Sequence, residues 1–189
     1  MFEYLEVLFA AAFVNNFVLV QFLGLCPFVG TSKRLQTAIP LALATCFVIV
    51  LSIILTHALF NLLLQPWDLG YLKLVVFILS IATAVQLTER YVRYSSPVLH
   101  QMLGIYLPLI TSNCAILGVV LLVADLDFLV AIFTGIGAAI GFTIVLVLFA
   151  SLRERLESSS IPESFRGTPI AFLTAGILAL SFYGFRGMV

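Results

Sequence analysis

The chain is short of charge. Of its 189 residues only 10% are Asp, Glu, Lys or Arg, and the formal net charge is zero. A soluble globular domain carries roughly 25% charged residues, so an ordinary water-facing surface is excluded. Nothing in the net charge draws the chain to nucleic acid. Carboxylates are absent from one place in particular. Glu3, Glu6, Asp68, Glu89, Asp125, Asp127, Glu154, Glu157 and Glu163 all stand at the ends of apolar segments or between them. Mid-membrane carboxylates are the usual marks of proton and sodium relays, so a carboxylate-based pump contained in this chain is not expected. Histidine is nearly absent too: His57 and His100 fall toward opposite ends of their segments, and no C-x-x-C-H occurs. Haem is therefore not expected, and each histidine reads as satisfied or interfacial. No nucleophile–base constellation and no phosphate-binding loop appears. The glycine run GIGAAIG at 135–141 follows no strand pattern; small residues at this spacing let helices approach closely in lipid.

What the chain has in abundance is apolar sequence, 62% of all residues. The apolar runs are continuous and about 20 residues or longer, the length of a bilayer-spanning helix. A barrel would instead show segments of about ten residues with alternating polarity. The expected fold is all-α and integral to the membrane, with six spans over about 4–30, 38–64, 70–88, 98–124, 128–150 and 168–187. No connector is long enough for a soluble domain, so residues 1–189 form one membrane domain. The N-terminus carries Glu3 and Glu6 in place of a basic region and is expected to be retained. Lys33, Arg34, Arg90, Arg93, Arg153, Arg155 and Arg166 lie in the first, third and fifth connectors, against Lys73 and Arg186 on the other side. That bias places those connectors in the cytoplasm and both termini outside. RERLE and ERYVR read as solvated cytoplasmic faces. Spans one to three then enter from outside, and spans four to six from inside. This suggests two inverted repeats, about 1–96 and 97–189, the arrangement of many transporters.

Two of the three cysteines sit in matching contexts: LGLCPFVG at 23–30 and TSNCAILG at 111–118. In an unbroken first helix Cys26 would lie roughly 30 Å deep, nearly across the apolar core. Cys114 would lie roughly 25 Å deep from the opposite face. The two meet at mid-depth only if both spans are broken, tilted or re-entrant. Gly24, Pro27 and Gly30 surround Cys26, while Gly104, Pro108 and Gly118 flank Cys114. Broken backbone at membrane depth is tolerated only when buried in protein or lining a cavity. Asn15, Asn16, Gln21, Ser112 and Asn113 are at hand to satisfy freed backbone groups. A lone membrane cysteine is usually small, buried and inert, and Cys46, in ATCFVIV without breakers, gets that reading. The matched pair leaves packing and a metal site both open. Thiolates suit zinc or an iron–sulfur cluster, and a cluster usually takes four, so a second chain would have to supply the rest. A disulfide is the runner-up to a metal site, though it explains neither the breaks nor the depth.

NNFVLVQFLGLCPFVG, SPVLHQMLGIYLPLITSNCAILGV and LFASLRERLESSSIPESFRGTPIAFLTAGILAL closely resemble the A-subunit family of the bacterial Rnf complexes. That family is similar to the E subunit of the sodium-pumping NADH:quinone oxidoreductase. The likeness covers nearly the whole chain. The Rnf E subunit shares LGLCP but inserts in the opposite sense; NNFVLV, the FRG connector and the charge bias favour the A type. The resemblance implies a subunit of the inner (cytoplasmic) membrane, in a complex that moves electrons between ferredoxin and NAD and couples this to ion translocation. It implies an antiparallel, pseudo-symmetric E-type sister subunit, with further flavin and iron–sulfur subunits. Each sister gives two cysteines to one shared [2Fe–2S] cluster inside the membrane. Carried over, the ligands are Cys26 and Cys114. Gly24, Pro27, Gly30, Asn113 and Gly118 then shape the loops that present them. No flavin attachment motif is present, so flavin is expected on other chains. Competing readings are an inverted-repeat secondary transporter and a structural subunit with inert cysteines.

Overall fold

A computed structural model describes residues 2–32, 34–64, 70–95, 113–157 and 162–184. The first half of the expected fourth span lies outside these residues, and with it His100, Gly104, Pro108 and Ser112. Every regular element among the described residues is helical. The helices are α1 (Phe2–Phe9), α2 (Phe17–Val20), α3 (Leu25–Thr31), α4 (Leu35–Leu59), α5 (Lys73–Ser95), α6 (Cys114–Val123), α7 (Phe128–Glu157) and α8 (Thr168–Tyr183). Among the described residues three stretches, Leu35–Leu62, Lys73–Tyr94 and Phe128–Glu157, are long and apolar enough to cross a membrane. The apolar helices Tyr4–Val14, Cys114–Val123 and Thr168–Tyr183 are shorter.

The bundle is built around α7, whose 30 residues extend about 45 Å. Its buried face is lined by small residues, among them Ala131, Gly135, Ala138 and Gly141. α4 lies antiparallel to it. Ile53 packs on Gly135, and one turn further His57 meets Leu126 and Phe128. The outward faces of α4 and α5 carry Leu43, Phe47, Val75 and Leu79. Small residues at the α7 contacts let the helices approach closely, as in lipid, while large side chains such as Phe77, Phe142 and Phe149 fill the rest of the interior.

The N-terminal segment runs parallel to α7, and its contacts give a register. Tyr4 stacks on Phe133 with ring centroids 5.2 Å apart. Leu8 and Ala11 lie on Gly137, and Ala12 and Asn16 on Gly141. A Cβ on Gly141 would stand 2.6 Å from the Ala12 carbonyl oxygen, so the glycine is required by the close approach. Gly24 then packs on Phe142, Phe28 on Phe149 at 4.6 Å, and Val29 and Ser32 on Arg153. From Asn16 to Gly24 the chain advances by a single residue along α7. It goes down half the bundle, turns over at mid-height, and goes down the other half.

Several boundaries differ from the sequence expectation. α7 continues to Glu157 through RERLE, which is helix and not a loop. α5 extends to Ser95 and α4 begins at Leu35. Pro40 lies inside α4 without interrupting it.

Candidate metal centre

The break in the first segment is made by local chemistry. α1 ends in a π-turn, Ala10–Val14, closed by the Asn15 N–H on the Ala10 carbonyl at 2.7 Å. Such turns within α-helices occur frequently at functional sites. Asn16 serves both sides of the break. Its Nδ2 donates to the Ala12 carbonyl at 3.0 Å, and its Oδ1 accepts the Val18 N–H at 3.1 Å, capping α2. Four residues later the chain turns again, with Phe22 at φ 54 and Gly24 at φ 88. A Cβ on Gly24 would stand 3.0 Å from Ala115 Cβ and 3.2 Å from Phe142 Cε2. Both the left-handed backbone and the space demand glycine. Pro27 then falls in the first turn of α3, where a helix has spare donors and proline costs no bond.

The second cysteine helix starts from Asn113, whose Oδ1 accepts the Ala115 N–H at 3.0 Å. Asn113 is 3% exposed, and its Nδ2 has no hydrogen-bond partner among the described residues. Cys114 is the first residue of α6, and Cys26 the second of α3.

These two starts meet. The Gly24 N–H donates to Cys114 Sγ at 3.0 Å, across ninety residues of sequence. Leu23 packs on Gly118, where a Cβ would come within 2.5 Å of Leu23 Cδ1. Leu23 and Gly24 therefore share one place in the bundle with residues 113–118, beside the middle of α7. α3 leaves it toward the C-terminal end of α7, covering about 10 Å with its seven residues. α6 leaves it toward the N-terminal end, covering about 15 Å with its ten. Cys26 is exposed and Cys114 half-buried, and neither is in a disulfide. Among the described residues no three His, Cys, Asp or Glu gather into a metal-binding group.

The other residues singled out in the sequence divide. Gly30 is an exposed helical residue near the end of α3, and Gly118 a helical packing residue. Neither bends a loop. Cys46 packs half-buried against the core on α4. His57 is satisfied on both nitrogens: Asn61 Nδ2 lies 2.9 Å from Nδ1, and the Leu126 carbonyl 3.1 Å from Nε2. Asn61 is the donor on Nδ1, so Nε2 carries the proton. Glycines 135, 137 and 141 are contact points for helix packing.

One residue went unnoticed in the sequence. Arg153, read there as part of a solvated face, is 4% exposed. Its Nη1 donates to the Val29 carbonyl and to Ser32 Oγ, both at 2.8 Å. Glu154 and Arg155 beside it are exposed. The helical phase of α7 turns residue 153 onto the same buried face as Phe149 and Ala150. Carrying the expected helix past residue 150 would have shown this.

A cavity of about 430 Å³ opens beside the break, lined in part by Asn15, Phe17, Gln21, Val119, Thr134 and Ala138.

Comparison with known proteins accounts for the whole chain. Residues 4–189 match the family described as Rnf-Nqr subunit, membrane protein. The chain is 51% identical to the A subunit of the ion-translocating oxidoreductase complex of Alcanivorax borkumensis, over all of this chain and 99% of the relative. It is 52% identical to the protein of the same name from Shewanella oneidensis, with both chains covered in full. It is 51% identical to the A subunit of the Na(+)-translocating ferredoxin:NAD(+) oxidoreductase complex of Acetobacterium woodii, over 96% of each chain. The chain belongs to the Rnf-Nqr family of membrane subunits.

Proposed function

We propose, on that membership, that this chain is the A-type subunit of an ion-translocating oxidoreductase complex of the bacterial inner membrane. In this reading Cys26 and Cys114 hold one half of an intramembrane [2Fe–2S] cluster, and an E-type sister subunit in antiparallel association supplies the other half. The observation that carries the reading is the meeting of the two cysteine-bearing helix starts, with the Gly24 N–H on Cys114 Sγ at 3.0 Å. Hydrogen bonds to ligand sulfur are among the features that tune such clusters. Asn113 Nδ2, without a hydrogen-bond partner among the described residues, is a further donor beside Cys114 in the chain. Exposed Cys26 faces outward from this chain, as a ligand shared across an interface must.

When bound, the cluster supplies one-electron transfer between the flavin and iron–sulfur subunits on the two sides of the membrane. This chain's residues do the rest. Asn16 and Asn113 satisfy the backbone at the breaks, Gly24 lets the two starts touch, and Phe28, Phe142 and Phe149 keep water from the middle of the bundle. The proposed architecture is six spans in two inverted repeats, about 1–96 and 97–189. The parallel run of the first segment along α7 and the antiparallel packing of α4 support it. The Lys/Arg bias supports an outward placement of both termini. A periplasm-active reporter fused after Val189 should then be active; a silent one there, with a working cytoplasmic reporter in its place, would overturn the orientation.

The cavity at Asn15 and Gln21 favours a second reading, a secondary transporter with a largely apolar cavity, carrying a few polar side chains, beside its broken span. One experiment separates the two. Purified with its sister subunit, the pair should carry two irons and a paramagnetic signal when reduced. Cys26→Ser and Cys114→Ser should each abolish the signal and stop ferredoxin-linked NAD reduction. If either variant keeps full signal and full activity, that cysteine is a packing residue and the cluster assignment fails.

A further inference from the structure

We propose that Arg153 is the positioning residue for Cys26: from α7 it clamps the end of the seven-residue helix that carries the cysteine. The inference rests on the cluster reading above.

A helix as short as α3 is not stable by itself, because nucleation is costly and few bonds repay it. What holds Leu25–Thr31 in place must come from its neighbours. At its start Gly24 is wedged between Ala115 and Phe142. In its middle Phe28, 1% exposed, stacks on Phe149. At its end Arg153 takes the Val29 carbonyl, one of the last four that a helix leaves without an internal partner. The same nitrogen takes the hydroxyl of buried Ser32, the residue that caps α3. Val29 stands one turn beyond Cys26. The clamp therefore sets both the axial position and the rotation of the cysteine.

The choice of arginine is informative. A buried guanidinium is costly unless its donors are met, and here the acceptors are a carbonyl and a hydroxyl. Among the described residues no carboxylate pairs with it. Its described partners are neutral, and the guanidinium sits at the partly negative end of α3. A buried cation there would favour the reduced, more negative state of a cluster held through Cys26. Arg153 thus acts twice through α3, as a mechanical anchor and as a fixed charge.

Two measurements test this, one of which needs no iron. In the full chain, hydrogen exchange over residues 25–32 should quicken at least tenfold in Arg153→Gln, with α4 unchanged. Arg153→Lys should restore most of the protection. In the loaded complex the midpoint potential should fall in Arg153→Gln and stay near the starting value in Arg153→Lys. Ser32→Ala, which keeps the charge, should quicken exchange without moving the potential. Wild-type exchange in Arg153→Gln would overturn the clamp, and an unmoved potential would overturn the charge role. If Arg153→Gln does not insert, Ser32→Ala decides the clamp by the same exchange measurement. A complex with no reduced-state signal even before mutation would sink the cluster reading instead, leaving the exchange result to judge the clamp alone.

Discussion

The two cysteine-bearing helices begin in opposite ways. α3 starts from a left-handed glycine with no side chain to cap it, and its cysteine is exposed. α6 starts from a buried asparagine that caps it, and its cysteine already accepts a hydrogen bond. The difference follows from space. At Gly24 the backbone is pressed against Ala115 and Phe142, and a side chain has nowhere to stand. At Asn113 there is room for an amide, and the amide satisfies the backbone that the break exposes. One start gives up its cap so that its backbone can reach the side chains of the other; the other supplies a cap and receives the touch. Cys114 is oriented from inside the chain. Cys26 depends on its helix being held from elsewhere, by Phe149 and Arg153, and on whatever covers it from outside.

The sharpest way to break this comparison is at the glycine. Gly24→Ala forces a Cβ into left-handed backbone, at about 1–3 kcal/mol, and against Ala115. We expect loss of most of the cluster, read as iron per complex, and loss of the Gly24–Cys114 contact. Asn113→Ala removes one cap, about 1 kcal/mol, and the orphan donor with it. Most of the iron should stay, with a shifted reduced-state spectrum, and Asn113→Asp should retain the cap. Should Asn113→Ala lose more iron than Gly24→Ala, the asparagine and not the close approach governs the site.

How far the sequence foretold this site depends on how far apart its contacts lie. The break at residues 15–24 was legible because its causes are local: two asparagines and a glycine within ten residues. The packing role of 135–141 was legible for the same reason. Arg153 was not, since its partners Val29 and Ser32 lie more than 120 residues away and a charge after an apolar run ordinarily faces water. Gly30 and Gly118 misled in the other direction. Breakers by type, both sit inside helices, because neighbouring contacts and not local propensity decide their backbone. The π-turn at Ala10–Val14 left no mark in the sequence, being built from alanines, Phe13 and Val14.

The smallest effect is expected at the third cysteine, and it marks the boundary of the site. Cys46 shares residue type, membrane setting and partial burial with Cys114. It differs in everything the comparison of α3 and α6 depends on. It lies within the unbroken α4, with no cap beside it and no amide on its sulfur among the hydrogen bonds of the described residues. It packs against the apolar core as a small side chain. Cys46→Ala removes one sulfur from a half-buried position, worth about 1 kcal/mol or less by the apolar area involved. Iron content, reduced-state signal and electron transfer should all stay at the starting level. Loss of iron on this substitution would mean that thiol chemistry alone, without the broken backbone and its caps, suffices to make a ligand here, and the assignment to Cys26 and Cys114 would have to move.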